Sequence, residues 1–110
     1  MSEELSRAEM QKIGEEVVRV LCTIFDPEIP VDIYQLGLIY DVQVSTERDV
    51  QILMTLTSPN CPVAESLPQE VKEKSRALNS VRDVEVEITF DPPWDKDMMS
   101  EEAKLELGIL

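Results

Sequence analysis

Apolar positions recur along this chain with two different periods. Ile13, Val17, Val20, Leu21 and Ile24 keep helical spacing, and Ser6 followed by Glu9 stands ahead of them at capping-box spacing, which predicts a first helix from about Arg7 to Ile24. Pro27 and Pro30 stop it, because each pushes the preceding residue out of the helical region. The stretch FDPEIPVDIYQLG still carries Phe25, Ile29, Val31 and Ile33, so it reads as an ordered loop and not a linker. LIYDVQV and VQILMTLT then flank STERD as a hairpin of two strands, with Ile52, Met54 and Leu56 on one face and Leu53, Thr55 and Thr57 on the other, partly wet, face.

A second helical stripe, Val63, Leu67, Val71 and Leu78, predicts a helix from Pro62 to about Asn79. Pro68 interrupts it and predicts a kink, or a restart in which Ser66 caps and Gln69 completes the box. VRDVEVEITF alternates strictly, with Val84, Val86, Ile88 and Phe90 inward, and is a strand with one wet face. Ser100 caps a short helix ending at Gly108, and Trp94 is expected to lie over the edge of the core. Three strands and two amphipathic helices able to cover them make a two-layer α+β sandwich, in the order helix, strand, strand, helix, strand, short helix.

Length bears on this picture only by leaving room for one domain, residues 1–110, with a core that needs no staples. Charge changes it more. Ten Lys and Arg against 23 Asp and Glu give a net charge of −13, a field that repels phosphate backbones and anionic lipid, so neither nucleic acid nor a membrane surface is an expected partner. No apolar run approaches a spanning helix, and the acidic MSEELSRAEM differs from a signal peptide, which points to the cytoplasm. There is no histidine, which excludes Ser-His-Asp and Cys-His catalysis and His-ligated zinc.

Cys22 and Cys61 are therefore expected to be reduced thiols. Cys61 stands between the end of the second strand and Pro62, a residue suited to a first helical position, and so beside the positive end of a helix, where a thiolate is stabilised. Position alone is balanced between such a reactive thiol and a small apolar residue buried in a turn. Cys22, in the middle of the predicted first helix, reads as core. Asp26 and Glu28 in the proline-fixed loop can approach Cys61 if helix end and strand end share one edge; otherwise they are a turn acid and a solvated acid. Thr55 and Thr57 are read as strand residues.

Taken in order, DPEIPVDIYQLGLIYDV, TLTSPNCP and VEVEITFDPPWDKDMMSEEAKLELG resemble the metal-sulfur cluster biosynthesis family of small SufT-like and PaaD-like proteins, from Ile13 to Gly108. The same domain is similar to the N-terminal extension of some P-loop cluster carriers, but no glycine-rich phosphate loop is present, so no nucleotide is expected. The resemblance implies the element order above. It places the family's acidic loop residue on Asp26, its strand-end threonine on Thr57 and its reactive cysteine on Cys61, with Glu28 and Thr55 matching more loosely. It implies an auxiliary factor in iron-sulfur cluster assembly or delivery, not an enzyme, whose partners are the assembly machinery or client proteins and whose cargo is transient iron or a cluster. Clusters usually take four thiolates, so a transient site, a homodimer or a partner's ligands must complete what Cys61 begins. Two other classes remain: a thiol enzyme with Cys61 as nucleophile and Asp26 as base, and an adaptor that recruits clients without thiol chemistry.

Overall fold

The computed structural model describes residues 5–25, 30–57 and 66–108. Helix α1 (Arg7–Leu21) opens on the expected capping box, with the Ser6 hydroxyl accepting from the Glu9 N–H at 3.2 Å and the Glu9 carboxylate accepting from the Ser6 N–H at 3.0 Å. These bonds hold the Glu9 carboxyl below its ordinary pKa. Strands β1 (Ile39–Val44), β2 (Asp49–Met54) and β3 (Asp83–Ile88) form one sheet in the order β1-β2-β3, antiparallel between the first two and parallel between the last two. Helix α2 (Ser66–Arg76) lies on the route from β2 to β3, and α3 (Glu101–Glu106) follows a 3-10 turn at Lys96–Met98.

The register explains the two layers. Val42, Ile52 and Val86 stand side by side across the sheet, as do Val44, Val50 and Val84, and this face carries α1 and α2. Gln43, Gln51 and Glu85 make the neighbouring row on the open, solvated face. The core between sheet and helices is Val17, Leu21, Ile24, Ile33, Leu36, Leu38, Ile52, Met54 and Val71, all fully buried; each such side chain stabilises the fold by about 1.5–3 kcal/mol relative to exposure. Among the described residues no helix is long and apolar enough to cross a membrane.

Several expected boundaries move. Helix α1 ends at Leu21, not Ile24, and Cys22 is its C-cap instead of a mid-helix residue. The Ile24 carbonyl is taken by the Ile33 N–H at 2.8 Å, so the chain leaves the helix to meet the following loop. Strand β2 ends at Met54, three residues before Thr57, with the Thr55 N–H still reaching the Leu38 carbonyl at 2.8 Å one step beyond the Ile39↔Met54 pair. Thr55 is fully buried where a partly wet position was expected. β3 is shorter than VRDVEVEITF at both ends, so Phe90, expected to face inward, lies beyond the strand and is exposed, and α2 stops at Arg76 and not Asn79. Ser66 is itself helical, so it is no restart cap, and Gln69 reaches forward to Glu73 at 3.2 Å instead of completing a box. Pro62–Glu65 of the expected second helix lie outside the described residues.

The C-terminal segment straps the loop before β1. Trp94 donates its indole N–H to the Leu36 carbonyl at 2.8 Å, as a side chain lying over the core edge would. Tyr40 donates to the Pro92 carbonyl at 2.8 Å, the Ser100 N–H donates to the Gln35 carbonyl at 2.9 Å, and the Ser100 hydroxyl donates to the Gln35 side chain. Gly37 makes the close approach possible: its φ is +83°, and a Cβ there would run into the Met98 carbonyl, 2.8 Å from its carbon. The Ser100 cap and the left-handed Gly108 (φ +72°) fall where the sequence places them.

Candidate functional site

Four backbone hydrogen bonds define one end of the sheet. The Ile33 N–H donates to Ile24 (2.8 Å), the Leu38 N–H to Ile33 (3.1 Å), the Thr55 N–H to Leu38 (2.8 Å) and the Thr89 N–H to Met54 (2.9 Å). This chain of bonds runs from the exit of α1, through the loop, to the ends of β2 and β3. Phe25 and Asp32 add an isolated bridge beside it. The residue preceding the stretch that holds Asp26 and Glu28, and the residue preceding the stretch that holds Cys61, are Phe25 and Thr57; the bonded chain ties both neighbourhoods to this edge. Asp26, Glu28 and Cys61 themselves lie outside the described residues.

The described members of the expected set differ from each other. Thr57 is half-buried at the edge, whereas Thr55 is wholly enclosed, with its hydroxyl directed at the Leu56 carbonyl at 3.4 Å. Thr55 therefore serves the packing under the edge, and Thr57 is the threonine with access to solvent. Cys22, at the C-cap of α1, is half-buried. Burial first, and the Asp32 carboxylate second, push its thiol above the ordinary value, so it resists becoming a thiolate. The negative end of the helix dipole acts in the same sense. Asp32 was not singled out by the sequence; its Oδ2 accepts the Gln35 N–H at 2.9 Å, and the three-residue spacing of an Asp-headed turn is the signal that would have found it.

Phe25 and Phe90 are exposed at this end, by 53% and 42%, next to the last residues of the ladder. Among the described residues no three Cys, Asp or Glu side chains gather to hold a metal ion.

The fold and its edge define a class: a small α+β protein in which the exit of α1, the loop before β1 and the ends of β2 and β3 are tied together at one end of a three-stranded sheet. Residues 14–88 match the model of the family described as iron-sulfur cluster assembly protein, and the chain belongs to that family. It is 50% identical over 93% of its length to a Porphyromonas gingivalis protein named Fe-S protein maturation auxiliary factor, covering 97% of that protein. It is 43% identical over 78% of its length to the Fe-S protein maturation auxiliary factor SufT of Staphylococcus aureus, covering 98% of it. Among solved structures, a DUF59 domain of unknown function from Bacillus anthracis superposes with a TM-score of 0.89 at 35% identity, covering 96% of this chain and all of that one.

Proposed function

We propose that this protein is a single-domain auxiliary factor of iron-sulfur cluster assembly or delivery to client proteins, acting in the cytoplasm without catalysing a reaction of its own, and that Cys61 is its working thiol. The observation that carries the reading is the match along almost the full length of both chains to a relative named as such a factor. The cluster, or iron, is cargo. Cys61 contacts it or a partner's cysteine during transfer, Asp26 supplies an oxygen ligand or orients the thiol, Thr57 donates a hydrogen bond to the sulfur, and Glu28 adds acidity to the loop. Thr55 holds the strand end beneath them. A single soft ligand binds weakly and releases readily, which suits transfer and leaves the remaining ligands to the assembly machinery, the client or a second copy.

The test compares wild type with Cys61→Ser in two assays. Anaerobic iron and sulfide reconstitution, read by visible absorption and metal content, should lose its signal in the variant, and maturation of an iron-sulfur enzyme in cells lacking the native protein should fall to the level of the empty vector. In the same preparations Cys61 should alkylate near neutral pH, while Cys22 should need more alkaline conditions because its thiol is raised. Full maturation by Cys61→Ser would transfer the reading to an adaptor without thiol chemistry.

A further inference from the structure

The flank where α1 runs beside β1 leaves a groove of about 760 Å³. Helix α1 turns Ile13, Val17 and Leu21 into the core, and the neighbouring stripe at the same four-residue spacing, Met10, Gly14 and Val18, forms one wall of the groove. Val42 and Val44 of β1 form the other, with exposed Tyr34 also lining it. β1 is an edge of the sheet. The Ser45 N–H donates to the Asp49 carbonyl at 2.8 Å, and the register continues through Val44↔Val50 and Gln43↔Gln51. Alternation then turns the backbone of Gln43 toward β2 and the N–H and C=O groups of Val42 and Val44 outward. Beyond Val44 the outer edge is closed, where the Leu5 N–H donates to the Thr46 carbonyl at 3.0 Å. Among the described residues nothing takes the backbone groups of Val42 or Val44.

Two features of this wall have no use within the described chain. Gly14 sits in mid-helix, where glycine is unfavourable, yet a Cβ there would meet only Val44 Cγ2, at an ordinary 3.9 Å. Arg7 occupies the first helical position, where the dipole disfavours a cation. Arg7 and Arg19 lie twelve residues apart, about 18 Å along the axis, and line the two ends of the groove with Glu15 on the rim between them. Neither arginine has an ion-pair partner among the described residues.

We propose that this groove receives an extended segment of another protein as an added strand on β1, with an acidic residue at each end of a short apolar alternation. Its backbone pairs with Val42 and Val44, one apolar side chain enters the notch left by Gly14, and the acids reach Arg7 and Arg19. About 18 Å corresponds to five or six residues of strand. A second copy of β1 is a poorer occupant, since IYDVQV brings one acid, Asp41, and that in mid-strand. The net charge of −13 opposes an acidic partner at long range, so selectivity comes from the two arginines at contact.

The probe is a labelled, end-blocked peptide Asp-Thr-Val-Thr-Val-Thr-Glu, beside its counterpart with lysine at both ends, titrated onto the full chain. The acidic peptide should bind about ten-fold tighter than the basic one, Arg7→Glu with Arg19→Glu should reverse the preference, and hydrogen exchange should slow at the Val42 and Val44 amides on binding. Gly14→Ala should raise the melting temperature by about 4 °C while weakening the peptide, a pair of effects that a purely structural glycine would not give. No binding of the acidic peptide at millimolar concentration, equal binding of both, or protection of the two amides that needs no peptide and grows with protein concentration would each overturn the proposal, the last by giving the edge to a second copy.

Discussion

The two ends of the sheet are built by different forces. At the hairpin end, charged side chains near water are added to the backbone bonds: Arg82 donates to both oxygens of Asp49 and approaches Glu47 at 3.7 Å, beside its own N–H on the Arg48 carbonyl at 2.8 Å. At the other end, backbone ladders, an indole and a close glycine approach tie the α1 exit, the loop, the strand ends and the C-terminal strap together. Exposed ion pairs contribute little and fade with salt, whereas partly buried backbone partners cost about 1–3 kcal/mol when left unpaired. The end that adjoins Cys61 in the chain is thus held by interactions that neither pH nor salt readily alters. For the function proposed above, in which Cys61 meets a cargo and a partner, that is a suitable foundation.

The sharpest way to break this contrast is Gly37→Ala. The substitution forces a left-handed residue to carry a Cβ and drives that atom into the Met98 carbonyl. Strain and overpacking together should cost about 3 kcal/mol, lowering the melting temperature by more than about 10 °C. A loss below about 1 kcal/mol would mean that the strap does not press on the loop. Cleavage of the C-terminal segment by a protease in limiting amounts should rise in parallel.

Trp94→Phe keeps most of the packing and removes the N–H that satisfies Leu36. The expected cost is about 1–2 kcal/mol, insensitive to salt. If the effect instead disappeared in high salt, the supposed difference between the two ends would be wrong.

These two positions also mark how far sequence alone reaches. The capping box at Ser6, the alternation of β3 and the Ser100 cap are local signals, each carried by residues within a few positions, and the structure keeps them. The exit of α1 and the setting of Thr55 depend on partners distant in the chain: Ile33 claims the carbonyl of Ile24, and Leu38 takes the N–H of Thr55. Periodicity cannot see such bonds, so it runs α1 on to Ile24 and leaves Thr55 on a partly wet face. The demand on Gly37 is set by Met98, farther still. At the candidate site, the sharing of one edge by the α1 exit and the β2 end follows from the pattern, whereas Thr57 is singled out by the family resemblance, and Asp32 by neither, because its role depends on where the turn brings it relative to Cys22. The assignment of Asp26, Glu28 and Cys61 came from family resemblance as well as pattern, and it rests on the chemistry proposed above.

The smallest expected effect belongs to the hairpin end. Arg82 holds the Asp49 carboxyl below its ordinary value of 3.8, through the side-chain hydrogen bond first and its charge in addition. A carboxyl depressed in the folded state contributes stability that is fully present above the unfolded pKa and is lost as pH falls through the folded one. Asp49→Asn should therefore melt slightly below wild type at pH 7, by less than Trp94→Phe does, and the gap should close as pH falls below 3.8. Taking the difference between the two proteins matters, since acid also protonates the many other carboxylates of a chain with a charge of −13, a background both proteins share. High salt should narrow the same gap at pH 7, because the pair is exposed and screened. Thermal melts of both proteins across pH and salt decide the matter: a gap unchanged into strong acid would show that Asp49 acts through packing and not through its charge, and the hairpin end would then be built by the same forces as the other.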